Sequence, residues 1–239
     1  MSAYSETISS LFAEWRTKPE IDTNGKHITR DFFIEDGIID ESAWMKVPQE
    51  KHILFVLKDA NDEHPRSDWK IRDLLDHDVK YTMWRRAAEW VRGIILTELD
   101  GPDIFYEEFQ EGIGTLDWLK QTAVINLKKT PGAGSANVAE IPEYAKVDAI
   151  EIQEEIALID PDIIICGGTR DAFNIACEIS DCPVLRADTL HGYSLIKVCG
   201  RPRLVIDYYH PANRYPRILN YYGIVGIYRH ALANGVFKQ

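Results

Sequence analysis

Four short apolar runs constrain this chain more than any other feature: Ile53 to Leu57 (ILFVL), Ala123 to Leu127 (AVINL), Ile163 to Cys166 (IIIC) and Leu204 to Tyr208 (LVIDY). Each has the length of a strand, is rich in Val or Ile and is followed by loop-forming residues. An unbroken apolar run of that length is the pattern of a strand covered on both faces. Between the runs lie helix-like segments: roughly 70–98, with Trp84, Ala88, Val91 and Ile95 recurring, then 144–158 and 170–179, while Tyr221 to Ala233 closes the chain with another. Strands alternating with helices imply a parallel sheet with right-handed crossovers. The expectation is α/β: a three-layer α/β/α fold with a central, mainly parallel four-stranded sheet. Leu195 to Val198 and Leu204 to Tyr208 flank Cys199-Gly-Arg-Pro-Arg203, so the last strand is expected to be entered from an antiparallel neighbour.

Ahead of the sheet, residues 4 to 16 carry Leu11, Phe12 and Trp15 at helical spacing. The stretch DFFIEDGIIDESAW then places two apolar runs around Glu35-Asp36-Gly37, and Asp-Gly between apolar runs predicts a β-hairpin. Residues 1–50 thus read as a helix-and-hairpin extension of one domain spanning 1–239. There is no internal repeat, low-complexity tract or Pro/Ser-rich linker to divide it.

Composition excludes several classes. Hydrophobic residues make up 45% and charged residues 27%, ordinary globular usage. No stretch approaches the roughly 18 apolar residues of a membrane span. The N-terminus carries Glu6 and Glu14 where a secretory signal would be basic and then apolar, so a cytoplasmic location and no membrane partner are expected. Cys166, Cys177, Cys182 and Cys199 form no CxxC pair and have no His-rich partner run, which signals neither zinc nor a disulfide framework. The net charge of −11 disfavours attraction to phosphate backbones, although basic residues cluster locally at Lys128-Lys129 and at Arg201, Arg203, Arg214 and Arg217.

In parallel α/β sheets, ligands bind outside the carboxyl ends of the strands. Those ends read Lys58-Asp59-Ala60-Asn61-Asp62, Asn126 to Gly132, Gly167-Gly168-Thr169 and His210-Pro-Ala-Asn213. Taken singly, each has an ordinary structural explanation. Asp59 is a turn former or N-cap as readily as a catalyst. Gly167-Gly168-Thr169 lacks any dinucleotide or Walker pattern and reads as a tight turn with Thr169 as N-cap. Lys128 to Ser135 offers Lys and backbone N–H groups to a phosphate, or is a plain flexible loop. His210, fixed by Pro211, is a positioned imidazole or a satisfied structural histidine. Tyr208-Tyr209 stack a base, or one ring packs in the core and the other covers it. Trp84, Trp90 and Trp118 read as core. Asp59, Asp62, Glu63 and His64 have no spacing that forces convergence, and no metal is expected there.

Order and spacing together carry more. The chain resembles the uracil-DNA glycosylase superfamily over roughly residues 50–235. In that family a first strand leads into a loop written GQDPYH, GEAPG or GMNPG; here ILFVLKDAND occupies the place, and Asp59 falls on the Asp of the first form. Asn126 in AVINLKKTPG matches the Asn that reads the uracil edge. IDPDIIICGGTRDAF is similar to the family's IxPxIIVxLGxxA strand and helix, and His210-Pro211-Ala212-Asn213 stands at the HPSP-type loop. The sequence departs from the family at Lys58 (usually Gln or Glu), Ala60 (usually Pro) and Leu57 (usually Gly).

The resemblance implies hydrolysis of the N-glycosidic bond of uracil or another deaminated base in DNA; no cysteine pattern matches the family's iron–sulfur branches, so no cluster and no other cofactor is expected. Asp59 and His210 would be catalytic. Asn126, with Asn61 near it, would bind the base, while Lys128, Lys129, Asn213, Arg214 and Tyr215 would meet the DNA backbone or fill the vacated stack. Two alternatives stand beside it: a non-catalytic nucleic-acid or nucleotide binder, and a hydrolase of small nucleosides or nucleotides, which suits the acidic chain.

Overall fold

Which residues begin and end each element follows the apolar pattern closely. A computed structural model describes residues 2–48, 50–62, 64–75, 81–108, 113–132, 137, 139–179 and 183–237. In chain order these form α1 (Ala3–Arg16), β1 (Ile21–Thr23), β2 (Lys26–Ile28), β3 (Ile34–Glu35), β4 (Gly37–Ile38), α2 (Glu41–Trp44), β5 (Ile53–Leu57), β6 (Trp69–Lys70), α3 (Ile71–Leu75) and α4 (Thr82–Leu96). There follow α5 (Ile113–Leu119), β7 (Thr122–Asn126), α6 (Ile141–Val147), α7 (Ala149–Ile159), β8 (Ile163–Gly167), α8 (Arg170–Ala176), β9 (Val184–Asp188), β10 (Tyr193–Val198), β11 (Arg201–Tyr208) and α9 (Arg217–Ala233).

Among the described residues the central sheet has seven strands, ordered β4-β7-β5-β8-β11-β10-β9. The four apolar runs are its middle, β7-β5-β8-β11, all mutually parallel. The expected four-stranded sheet is therefore extended: β4 adds antiparallel to β7, and β10 and β9 add antiparallel beyond β11. Two of the additions are not placed in this sheet by sequence reading, for physical reasons. β4 is only two residues long and reads as part of a local hairpin, while β9 is almost wholly exposed and leaves no buried run.

Side chains alternate across the sheet because successive Cβ atoms point to opposite faces. Ile53, Phe55, Leu57, Ile163, Ile165, Leu204 and Ile206 pack with α4 and α9 residues such as Trp90 and Tyr221. Leu54, Val56, Ile164, Cys166 and Val205 pack with α1, α7 and α8, including Trp15, Ile156 and Phe173. Helices on both faces explain why every residue of β5, β7 and β8 is buried. Among the described residues no helix is long and apolar enough to cross a membrane.

The expected hairpin around Asp36-Gly37 does not form. Ile34–Glu35 pairs parallel with β6 in a small separate sheet, and Gly37–Ile38 then pairs with β7, so the chain passes from one sheet to another at Asp36. An N-terminal hairpin does exist, but at β1–β2, where Asn24 and Gly25 adopt positive φ of 49° and 72°. That is the two-residue turn which Asn-Gly favours, because its twist matches that of the flanking strands. The helix expected over 70–98 is seen as α3 and α4, with 76–80 outside the described residues, and that over 144–158 is broken into α6 and α7 at Asp148.

Candidate active site at the strand ends

β5 lies between β7 and β8 although it precedes both in the chain, so the connections from it and from β7 run in opposite directions across the sheet. The crevice of an open α/β sheet lies outside the carboxyl ends of the strands at such a switch point. A cavity of about 650 Å³ is found there, lined by Leu57, Lys58, Asp59, Ala60, Asn61 and Asp62 after β5, by Asn126 at the end of β7, and by His210 and Ala212 after β11. Asp59, Asn61, Asn126 and His210, separated by up to about 150 residues in the sequence, thus face one space. Its apolar wall comes from Trp69, Ile71, Leu74, Tyr81, Met83 and Trp84. The volume suits a small organic ligand.

The loop carrying Asp59 is an extension of the sheet. Leu127 N–H donates to Leu57 O and Lys128 N–H to Lys58 O, both at 3.0 Å; Gly132 N–H then donates to Ala60 O at 2.8 Å and Asp62 N–H to Gly132 O at 3.0 Å. Gly132 is what allows this placement of Asp59, since a Cβ built there would lie 2.0 Å from Asp59 Oδ2 and 2.4 Å from its Cγ. The Asp59 carboxylate rests on that bare Cα. Burial pushes its carboxyl above the usual range, against the opposing pull of Lys128 and Lys58. Its Oδ2 is buried and has no hydrogen-bond partner among the described residues; the nearest cation, Lys128 Nζ, is 4.0 Å away.

His210 is held by its own loop. Its Nδ1 accepts the Ala212 N–H at 3.1 Å, so the neutral ring carries its proton on Nε2. Burial, assisted by the charge of Lys58, lowers the imidazole to about 4. It is therefore a neutral donor at physiological pH. The loop is fixed from outside by Arg86 on α4, whose buried guanidinium donates to the carbonyls of Pro211 (2.9 Å), Asn213 and Tyr215 (3.3 Å).

Asn126 is 2% exposed, and both its backbone N–H (2.6 Å) and its Nδ2 (3.2 Å) donate to Asp36 Oδ2. Asp36 also pairs with Lys129, which pairs in turn with Glu155 at 2.6 Å; all three side chains are essentially inaccessible. Burial alone would lower the Lys129 ammonium, but Asp36 and Glu155 outweigh it and raise it. Burial and the charge of Asp36 push the Glu155 carboxyl well up.

The outer residues expected to meet a phosphate backbone divide. Lys129 does not face outward as expected: it is buried in this ion-pair cluster behind Asn126 because two carboxylates hold it there. Lys128 is also mostly buried, 3.3 Å from Glu140 and 5.3 Å over the Tyr144 ring. Asn213 is spent on its loop, with Nδ2 donating to His210 O (2.8 Å) and Asn220 Oδ1, and Oδ1 accepting from Tyr215 N–H (2.9 Å) and Asn220. Arg214 and Tyr215 are exposed, Tyr215 packing on Tyr209 with ring centroids 5.0 Å apart. Thr169 donates to Val56 O at 2.7 Å and does not cap α8 with its side chain. Tyr208 packs edge-on against Trp90 while Tyr209 is exposed. Residues 133–135 of the proposed phosphate loop, Glu63 and Cys182 lie outside the described residues.

Sequence reasoning missed Asp36, Gly132, Arg86 and most of the apolar wall. Asp36 was disguised by its neighbour, since Asp-Gly reads as a turn. Arg86 and Glu89 did carry a signal: two charges inside the otherwise apolar core-facing stretch of α4. No protein-family model matches this chain, and no curated protein matches it either, so what the cavity does rests on its own geometry.

Proposed function

We propose that the chain is a divergent uracil-DNA glycosylase-like protein, its four parallel strands forming the core of that fold, and that its cavity receives a pyrimidine whose N-glycosidic bond it hydrolyses. The observation that carries this reading is the convergence of a carboxylate, an amide and a neutral imidazole from three different strand ends on one cavity. Cleavage of the bond builds positive charge on the sugar and negative charge on the leaving base. Asp59, whose Oδ2 has no hydrogen bond among the described residues, stabilises the first or orients the attacking water. His210, donating from Nε2, stabilises the second without having to lose a charge. Asn126 reads the base edge, and the apolar wall covers the ring. Arg214 and Tyr215 are the exposed residues beside the His210 loop available to a strand.

The test is base release from uracil-containing single- and double-stranded oligonucleotides and from 2′-deoxyuridine, by wild type, Asp59→Ala and His210→Ala. Wild type should exceed both variants by about 100-fold or more, the usual worth of a positioned acid or base. No released base from any of these substrates would refute the reading. A small-nucleoside hydrolase is the second reading, favoured by the capture of Lys128 and Lys129 by acidic partners, which leaves Lys58 as the one lysine in the cavity lining among the described residues. Release from 2′-deoxyuridine but not from oligonucleotides selects it.

A further inference from the structure

We propose that Asp36 is a specificity-determining positioning residue: by holding the Asn126 amide nitrogen, it leaves the amide oxygen as the group offered to the ligand, so that the cavity selects a ring with an N–H donor at that place. The proposal rests on the base-binding reading of the cavity. A carboxylate paired with Lys129 is purely an acceptor, so the amide atom 3.2 Å from Asp36 Oδ2 has to be the nitrogen. The same oxygen takes the Asn126 backbone N–H at 2.6 Å, which fixes it relative to the strand end. Asn126 Oδ1 has no hydrogen bond among the described residues, and Asn126 lines the cavity. Reversing the amide would set its oxygen against the carboxylate and leave a buried N–H facing nothing suitable.

The cluster behind Asp36 explains how this orientation is kept. Lys129 is fully buried and bonded to Asp36 on one side and Glu155 on the other, so the carboxylate has a fixed countercharge and cannot swing toward the cavity. None of these three side chains reaches the ligand space; they act through Asn126. The consequence is chemical selection. Uracil presents N3–H between two carbonyls and suits an acceptor flanked by the second Nδ2 proton. Cytosine in the same pose presents a lone pair at N3, which opposes the amide oxygen.

The experiment compares the binding of uracil and cytosine by ligand titration of ¹⁵N-labelled wild type, Asp36→Ala and Asp36→Asn. Lys129 keeps Glu155 as partner in both variants. Wild type should favour uracil by roughly tenfold or more, the worth of one well-placed hydrogen bond against a mismatch. Asp36→Ala frees the amide to turn and should bring the two affinities within about threefold; Asp36→Asn retains an oxygen for the Asn126 N–H groups and should recover most of the preference. A folded Asp36→Ala with the wild-type ratio overturns the proposal, and equal loss in both variants overturns it in favour of simple disruption. Independently of any variant, one Asn126 side-chain amide proton should be shifted downfield of the usual Asn range and protected from exchange; a pair of protons at ordinary Asn shifts, both exchanging freely, would overturn it. Failure of wild type to bind either base sinks the base-binding reading instead, while the amide signals still report on Asp36.

Discussion

The His210 imidazole gives the most quantitative handle on this molecule. Burial and Lys58 lower it from the ordinary 6.5 to about 4. The unfolded chain therefore takes up a proton at this residue near pH 6.5, while the folded chain does so only near pH 4. Between those values acidification favours unfolding; above 6.5 the ring is neutral in both states and contributes no slope. Each pH unit of separation is worth about 1.4 kcal/mol, so His210 alone should cost the fold about 3 kcal/mol as pH falls from 7 to 4. Urea unfolding of wild type and His210→Gln across that range isolates the effect, since glutamine keeps a polar side chain and cannot titrate. The variant's stability should fall about 3 kcal/mol less than that of wild type. Parallel curves, or an imidazole NMR titration with a midpoint near 6.5, would refute the assignment of a buried neutral donor.

Two further outcomes follow from named contacts. Gly132→Ala puts a methyl group 2.0 Å from Asp59 Oδ2, and because a side chain yields more easily than backbone, the carboxylate should be displaced with only about 1–3 kcal/mol lost; base release should drop nearly as far as in Asp59→Ala while the fold survives thermal denaturation, and retention of activity would contradict the placement of Asp59. Lys129→Met removes the one cation between two buried carboxylates and should destabilise the protein by about 3–5 kcal/mol at neutral pH, less in acid where carboxyls protonate, as measured by urea unfolding at pH 7 and 5.

The parallel middle of the sheet was legible because burial on both faces forces apolar runs, and β5 begins and ends where ILFVL does. The edges left no such mark: β4 is two residues long and reads as a hairpin arm, and β9 shows four exposed residues of five. At the site, the strand-end rule singled out Asp59, Asn126 and His210, and the structure brings them to one cavity. The rule could not say which neighbours were spent on structure. Lys128 and Lys129 look alike in sequence, yet only contacts from Glu155, Asp36 and Glu140, distant in the chain, decide that both are drawn away from the surface. Asp36 shows the limit of local signals most clearly, because the Asp-Gly pair that suggests a turn instead marks a crossing between sheets.

The ladder that continues from β5 and β7 into residues 57–62 and 126–132 bears on the thermodynamics of recognition. A loop that must be ordered by its ligand gives up roughly 1–2 kcal/mol of backbone entropy for each residue it freezes. Here the backbone on either side of Asp59 is already hydrogen-bonded before any ligand arrives, so that penalty was met during folding and is not subtracted again from affinity. A ligand here still gives up its own translational and rotational freedom and its hydration, but not the entropy of ordering this backbone.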